Sequence, residues 1–223
     1  MKTKFWILEM PKYSIALFVI LNILAMVFYP GGNIHDPDQI GYAFTKNFFS
    51  DLGTTVSYSG AHNTVSCILF NTSLCICGFT FITLFYKVKN LFELKALSNL
   101  ATFFGVMGGI SFIGVALTPA DLLLDPHILF AHGIFRSLLI ASILFTILIF
   151  KTKDFDNKYG YGFIVFGIMV LAYVLVSELG PDPRSNPTAL LMQVISQKII
   201  ALWLLISIYI YSLGLGKYLY KRV

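Results

Sequence analysis

Apolar residues run through this chain in six long stretches, near residues 12–29, 63–86, 97–118, 127–150, 160–179 and 188–213. Short polar connections separate them. A helix rising about 1.5 Å per residue crosses the roughly 30 Å hydrocarbon core of a bilayer in about 20 residues. Each stretch is of that order. Runs such as Ser137 to Phe150 show none of the two-residue alternation of a membrane β-barrel. The pattern predicts an all-α, polytopic integral membrane protein, one six-helix transmembrane domain spanning 1–223.

The first of the connections that would face outward is the exception, about 33 residues long, and a loop of that length usually carries structure or function. Asp36-Pro37-Asp38-Gln39 has the form of a helix start, with Asp as N-cap and Pro at the first helical position. Ile40, Phe44, Phe48 and Leu52 then recur every four residues up to Gly53. This spacing predicts an amphipathic helix lying on the outer membrane surface or over the bundle. The same Asx-Pro pair precedes span four (Asp125-Pro126) and span six (Asn186-Pro187), where it predicts caps.

Composition agrees with burial in lipid. The chain is 57% hydrophobic and 12% charged, where a soluble domain carries about 25% charged residues. Its net charge of +5 is distributed by side. Lys2, Lys4 and Lys12 precede the first span, Lys87, Lys89 and Lys95 fill the second connection, Lys151, Lys153 and Lys158 the fourth, and Lys217, Lys221 and Arg222 the tail. The first, third and fifth connections hold only Lys46 and Arg184. Cytoplasmic loops collect Lys and Arg, so the expectation is a multi-pass cell-membrane protein with both termini in the cytoplasm. The basicity reports topology, and no basic, aromatic-interleaved patch points to nucleic acid. The apolar run from Ile15 to Phe28 lacks a small-residue cleavage site and reads as a retained first helix.

Gly105, Gly108, Gly109 and Gly114 mark span three as the centre of the bundle, because Gly105-x-x-x-Gly109 permits close helix approach. Such a face also suits a homo-oligomer. Cys67, Cys75 and Cys77 all lie on span two and read as small core residues.

Chemistry-bearing residues gather on the outer side. Arg136 lies about ten residues into span four, roughly 15 Å along the helix, and Lys198 is similarly deep in span six. Charges at such depth are costly and mark functional positions by default, although a buried structural ion-pair network fits them too. His132 precedes Arg136 by four residues and shares its face. Gln197 stands beside Lys198, and Glu178 ends span five on the same side. These residues predict a polar pocket walled by spans four, five and six, in which Arg136, Lys198, Glu178, Asp121 and Gln197 bind a ligand and His132, Asp51 and Ser50 are the catalytic candidates. His62, His127 and His132 are weak metal candidates. His127 and His132 are five apart, about 140° around a helix, and no His-x-x-x-His occurs. No metal is expected on this spacing, and the sequence leaves any cofactor unknown.

The segment Asn47-Phe48-Phe49-Ser50-Asp51-Leu52-Gly53-Thr54-Thr55 resembles the (I/F)-S-D-x-G signature of a prokaryotic six-helix membrane family, domain of unknown function 998. That family is distantly similar to the eukaryotic FRAG/DRAM/Sfk group. Thr118-Pro119-Ala120-Asp121, His127 and His132 also resemble family positions. The resemblance implies a six-helix fold and, through relatives acting in lipid remodelling or trafficking, a membrane-lipid partner. The Pro-Glu that often follows the signature in the eukaryotic group is replaced here by Val56, Ser57 and Tyr58.

Three functional expectations follow. The first is recognition or processing of a lipid headgroup or other polar ligand at the outer face, centred on Asp51, His132 and Arg136. The second is a proton-coupled transporter using Arg136, Lys198 and Glu178. The third is a non-enzymatic membrane scaffold. Whether the protein is an enzyme stays open at the level of sequence.

Overall fold

A computed structural model describes residues 4–221. Six helices are long and apolar enough to cross a membrane, so the chain is a multi-pass, all-α membrane protein. They are α1 (Met10–Phe28, continuing a π-helical turn at Phe5–Glu9), α2 (Thr64–Val88), α3 (Lys95–Leu117), α4 (Leu124–Lys151), α5 (Tyr161–Leu179) and α6 (Pro187–Tyr220). Their bounds fall within a few residues of the apolar stretches, except that α6 continues past 213 to Tyr220, because uninterrupted apolarity in lipid leaves the backbone no partner outside its own helix.

Consecutive helices pack side by side, and α1 and α6 meet more sparingly to close the ring. We call the end that carries the 29–63 connection the distal end; the opposite, proximal end carries the two ends of the described chain, Lys4 and Lys221. Glycine decides how close α3 comes to α2. A Cβ on Gly78 would stand 2.5 Å from the carbonyl oxygen of Gly109, and one on Gly109 2.7 Å from that of Gly78. Gly108 and Gly114 admit Leu138 and Phe130 of α4 in the same way. The small-residue face of α3 is therefore used inside the bundle.

The interior of the proximal half is filled. Phe85 stacks on Phe145 at 5.0 Å between ring centres, and Tyr211 meets both Phe145 and Phe163. The void left among these rings is only about 10 Å³. The distal half holds a cavity of about 80 Å³, and the long connection covers it.

That connection is not an amphipathic helix. Gly31–Asn33 (β1) and Asp36–Ile40 (β2) form an antiparallel hairpin, with Gly31 opposite Ile40 and Asn33 opposite Asp36. Gly41 then reverses the chain with φ of 64°, a left-handed conformation that a continuing helix cannot contain. The four-residue spacing is not a shared face either: Ile40 is 96% exposed and Leu52 fully buried. Helix is confined to a 3₁₀ turn at Phe49–Gly53. The Asx-Pro readings also divide. Asn186 caps α6, its Oδ1 accepting from the backbone N–H groups of Thr188 and Ala189 at 2.9 and 3.1 Å. Asp125 lies inside the first turn of α4, whose cap position is Leu123, and Asp36 lies in β2.

Candidate functional site

The 3₁₀ turn is a plug driven into the distal mouth of the ring. The Asp51 carboxylate organises it, with Oδ2 accepting from the Phe48 backbone N–H at 2.8 Å and from Asn47 Nδ2 at 3.1 Å. Side chains of α2 hold its far side: Asn63 Nδ2 and Ser66 Oγ donate to the Leu52 carbonyl at 3.1 and 3.0 Å, and Asn71 Nδ2 donates to that of Gly53. Gly53 passes so close to α2 that a Cβ would stand 2.7 Å from the Phe70 ring and 2.8 Å from Asn71 Oδ1. From α6, Gln197 Oε1 accepts from the Phe49 N–H at 2.9 Å, and Lys198 Nζ donates to the Asn47 carbonyl at 2.6 Å. Burial pushes the Asp51 carboxyl up to about 7, against the opposing pull of its hydrogen bonds from Asn47 and Phe48 and of the nearby Lys198 charge.

Asp121 staples the connection to the α3–α4 turn. Its carboxylate accepts from the Thr55 N–H, the Thr55 hydroxyl and the Val56 N–H. Burial acts to raise its pKa, but these hydrogen bonds outweigh it and hold the carboxyl below the usual range. On another side His35 Nε2 donates to the Pro183 carbonyl at 2.9 Å, tying the hairpin to the α5–α6 turn.

Beneath the plug lies a cavity of about 80 Å³, bordered by residues of all six helices. Its wall is apolar except at Ser50, His127 and Gln197. His127 Nδ1 meets the Thr118 carbonyl at 2.7 Å. A carbonyl can only accept, so that nitrogen carries the hydrogen, and the neutral ring keeps Nε2 as its basic nitrogen.

A second, larger space of about 250 Å³ lies between α1 and α6, where the ring closes sparingly. Its lining includes Val19, Ile23 and Leu202, which are exposed on the flank of the bundle. Two polar side chains face it, Asn22 and Lys198. Asn22 Nδ2 donates to the Phe18 carbonyl and to Ser73 Oγ, while its buried Oδ1 has no hydrogen-bond partner among the described residues. Lys198 Nζ also lies 4.9 Å from the centre of the Phe44 ring and 5.4 Å from that of Tyr42. Phe18 and Phe49 border both spaces and stack 5.8 Å apart.

The structure brings together only part of the set expected from sequence. Ser50, Asp51, Gln197 and Lys198 all meet at the plug. Arg136 pairs with Glu178 at 2.5 Å, but both side chains are about half exposed and border neither space. His132 is exposed on α4 and has no hydrogen-bond partner among the described residues. Asp51 is sealed in the plug, so Asp51, His132 and Arg136 share no cavity. Spans four, five and six do not wall the site by themselves; the first helix and the plug contribute as much. His62 is exposed, its backbone bridged to Val56. Among the described residues no three of His, Cys, Asp and Glu stand close enough to hold a metal ion.

The sequence reading gave Asn22 no role, named Asn47 only within the S-D-x-G segment, and took His127 only as a weak metal candidate and a family-like position. A signal for His127 existed. His127, Ala131, Ile134 and Phe135 follow the i, i+4, i+7, i+8 spacing of one helix face and all line the cavity, whereas His132 and Arg136 lie on another. Compared with known proteins, the chain matches no family model, no curated protein and no solved structure.

Proposed function

We propose that this protein binds a membrane lipid in the flank groove between α1 and α6, taking the lipid's polar part at Asn22 and Lys198 and its chain along the apolar wall. The observation that carries this reading is that Asn22 and Lys198 are the two polar residues lining a groove otherwise apolar and open sideways, the Oδ1 of Asn22 being buried and without a hydrogen-bond partner among the described residues. A polar group buried without a partner is costly. A lipid hydroxyl donating to Asn22 Oδ1 removes that cost, and Lys198 offers a donor for an ester or phosphate oxygen. Ligand sites of this kind are mostly apolar with a few placed polar groups.

The distribution of Lys and Arg supports a cell-membrane protein with cytoplasmic termini, so the groove opens into the outer leaflet. The filled proximal half weighs against passage through the bundle and hence against a transporter. The S-D-x-G resemblance agrees with a lipid partner.

The test is lipid retention. Purified protein analysed by native mass spectrometry should carry a lipid adduct, and Ile23→Trp or Leu202→Trp, which fill the groove, should reduce its occupancy at least tenfold. Lys198→Met should shift which headgroups are retained. Equal retention by the wild type and both tryptophan variants would overturn the reading.

A further inference from the structure

Among the cavities, polar clusters and exposed patches of the described residues, the chamber under the plug carries most. We infer that this chamber is an acyl-ester hydrolysis site in which Ser50 is the nucleophile, His127 the general base and Gln197 the donor to the oxyanion. The inference deepens the lipid reading, on which it rests for its substrate class, a carboxylic ester of a membrane lipid.

Four observations converge. Ser50, on the plug, and His127, on α4, border one apolar cavity. The Ser50 hydroxyl makes no hydrogen bond with another described residue, His127 included, so its oxygen is open to a ligand in the cavity. His127 is fixed through Nδ1 by the Thr118 carbonyl, which does here what a carboxylate does in other nucleophile–base–orienter sets: it selects the tautomer with a basic Nε2. Gln197 is fixed as well. Its Oε1 must be the atom facing the Phe49 N–H, since only an oxygen can accept, and this leaves the Nε2 amide hydrogens free to donate. Nucleophile, base and oxyanion donor are thus the polar groups of one otherwise apolar wall.

The groove supplies the route. Phe18 and Phe49 are the stacked partition between the flank groove and the chamber. A chain lying in the groove with its ester end turned inward past these rings meets Ser50, which follows Phe49 directly in sequence. The Ser50 oxygen attacks the carbonyl carbon and its proton passes to His127. The bond from the carbonyl carbon to the alkoxy oxygen breaks, and His127 delivers the proton to the departing alcohol. Water then attacks the acyl–Ser50 ester, giving its proton to His127, which returns it to the serine oxygen as the acid leaves. Ester and water become acid and alcohol, with no other reactant.

The test uses the full chain in detergent, with an alkyl fluorophosphonate as probe and a p-nitrophenyl ester series from four to twelve carbons as substrate. A single phosphonyl adduct should map to Ser50, and the wild type should hydrolyse the esters. Ser50→Ala removes a hydroxyl that holds nothing in place, so it should fold as the wild type, lose the adduct and lose turnover. His127→Gln should slow labelling and turnover at least 100-fold. Phe49→Ala should raise the rate on twelve-carbon relative to four-carbon esters, a chain-length change that a merely structural ring would not produce. A folded wild type giving no adduct on Ser50 would overturn the inference. If that sample still retains its lipid, the lipid reading stands alone; if it retains none, both fall together.

Discussion

Lys198 and Asp51 do not touch, although each is the nearest compensating charge of the other; Asn47 stands between them. The Asn47 side chain donates to Asp51 Oδ2 at 3.1 Å, and its backbone carbonyl accepts from Lys198 Nζ at 2.6 Å. One residue thus relays a cation on the last helix to a carboxylate in the distal connection. The arrangement satisfies the lysine with carbonyls and leaves the carboxyl near its own neutral point.

Asp51 makes stability depend on pH in an unusual direction. Its folded pKa of about 7 lies above the ordinary 3.8, so between those values the folded chain keeps a proton that the unfolded chain has released. Stability from this group is therefore full below pH 4 and falls as pH rises towards 7, by at most about 1.4 kcal/mol per pH unit. Asp51→Asn, which can keep the Phe48 contact through its carbonyl oxygen, should flatten this slope and raise Tm at pH 8 relative to the wild type. Thermal melts in detergent from pH 5 to 8 measure it.

Gly53→Ala should destabilise the protein by about 1–3 kcal/mol, the usual range for overpacking. The new methyl group meets a buried Phe70 ring and the Asn71 side chain that itself holds the Gly53 carbonyl. The expected readout is a lower Tm, with earlier modification of Cys67, whose thiol donates to the same carbonyl.

Asp121→Ala removes the acceptor for two backbone N–H groups and one hydroxyl at Thr55 and Val56. Hydrogen exchange should rise at Thr55 and Val56 and stay unchanged in the plug, which α2 and α6 hold independently. Because Asp121 titrates below the usual carboxylate range, its contribution is present above about pH 4 and is lost as pH falls through the lowered value.

Asn186→Ala should cost about 1 kcal/mol through loss of the α6 cap, and Asn186→Asp should restore it. Helix fraying at Thr188 and Ala189, followed by hydrogen exchange, locates the effect.

The spans were legible in the sequence because lipid imposes one rule on every residue of a helix, and twenty consecutive side chains report it together. The Asn186 cap was legible because its partners are two and three residues away. The distal connection was not. Its spacing of Ile40, Phe44, Phe48 and Leu52 satisfied a helical period, but Gly41 reverses the chain and β1 captures the backbone of β2, while Leu52 finds its partners in α2. Of the site, Ser50, Asp51, Gln197 and Lys198 were named from their types and depth. Choosing His132 over His127 followed the shared face with Arg136, when the apolar stripe of α4 was the face that turns inward. Asn22 lies inside an apolar run and carries no charge, so its role shows only where its neighbours leave one oxygen unpartnered.

The two anchors that α6 gives the plug, Gln197 and Lys198, lie 148 and 151 positions after the residues they hold. At roughly 5–20 residues per second of synthesis, the ribosome makes them roughly 7–30 s after Asn47 and Phe49. During that interval the nascent distal segment has α1, α2 and the α3–α4 turn to rest against, but it lacks both anchors from α6 until the final helix is inserted. Maturation of this protein therefore ends, rather than begins, with the closing of its distal end.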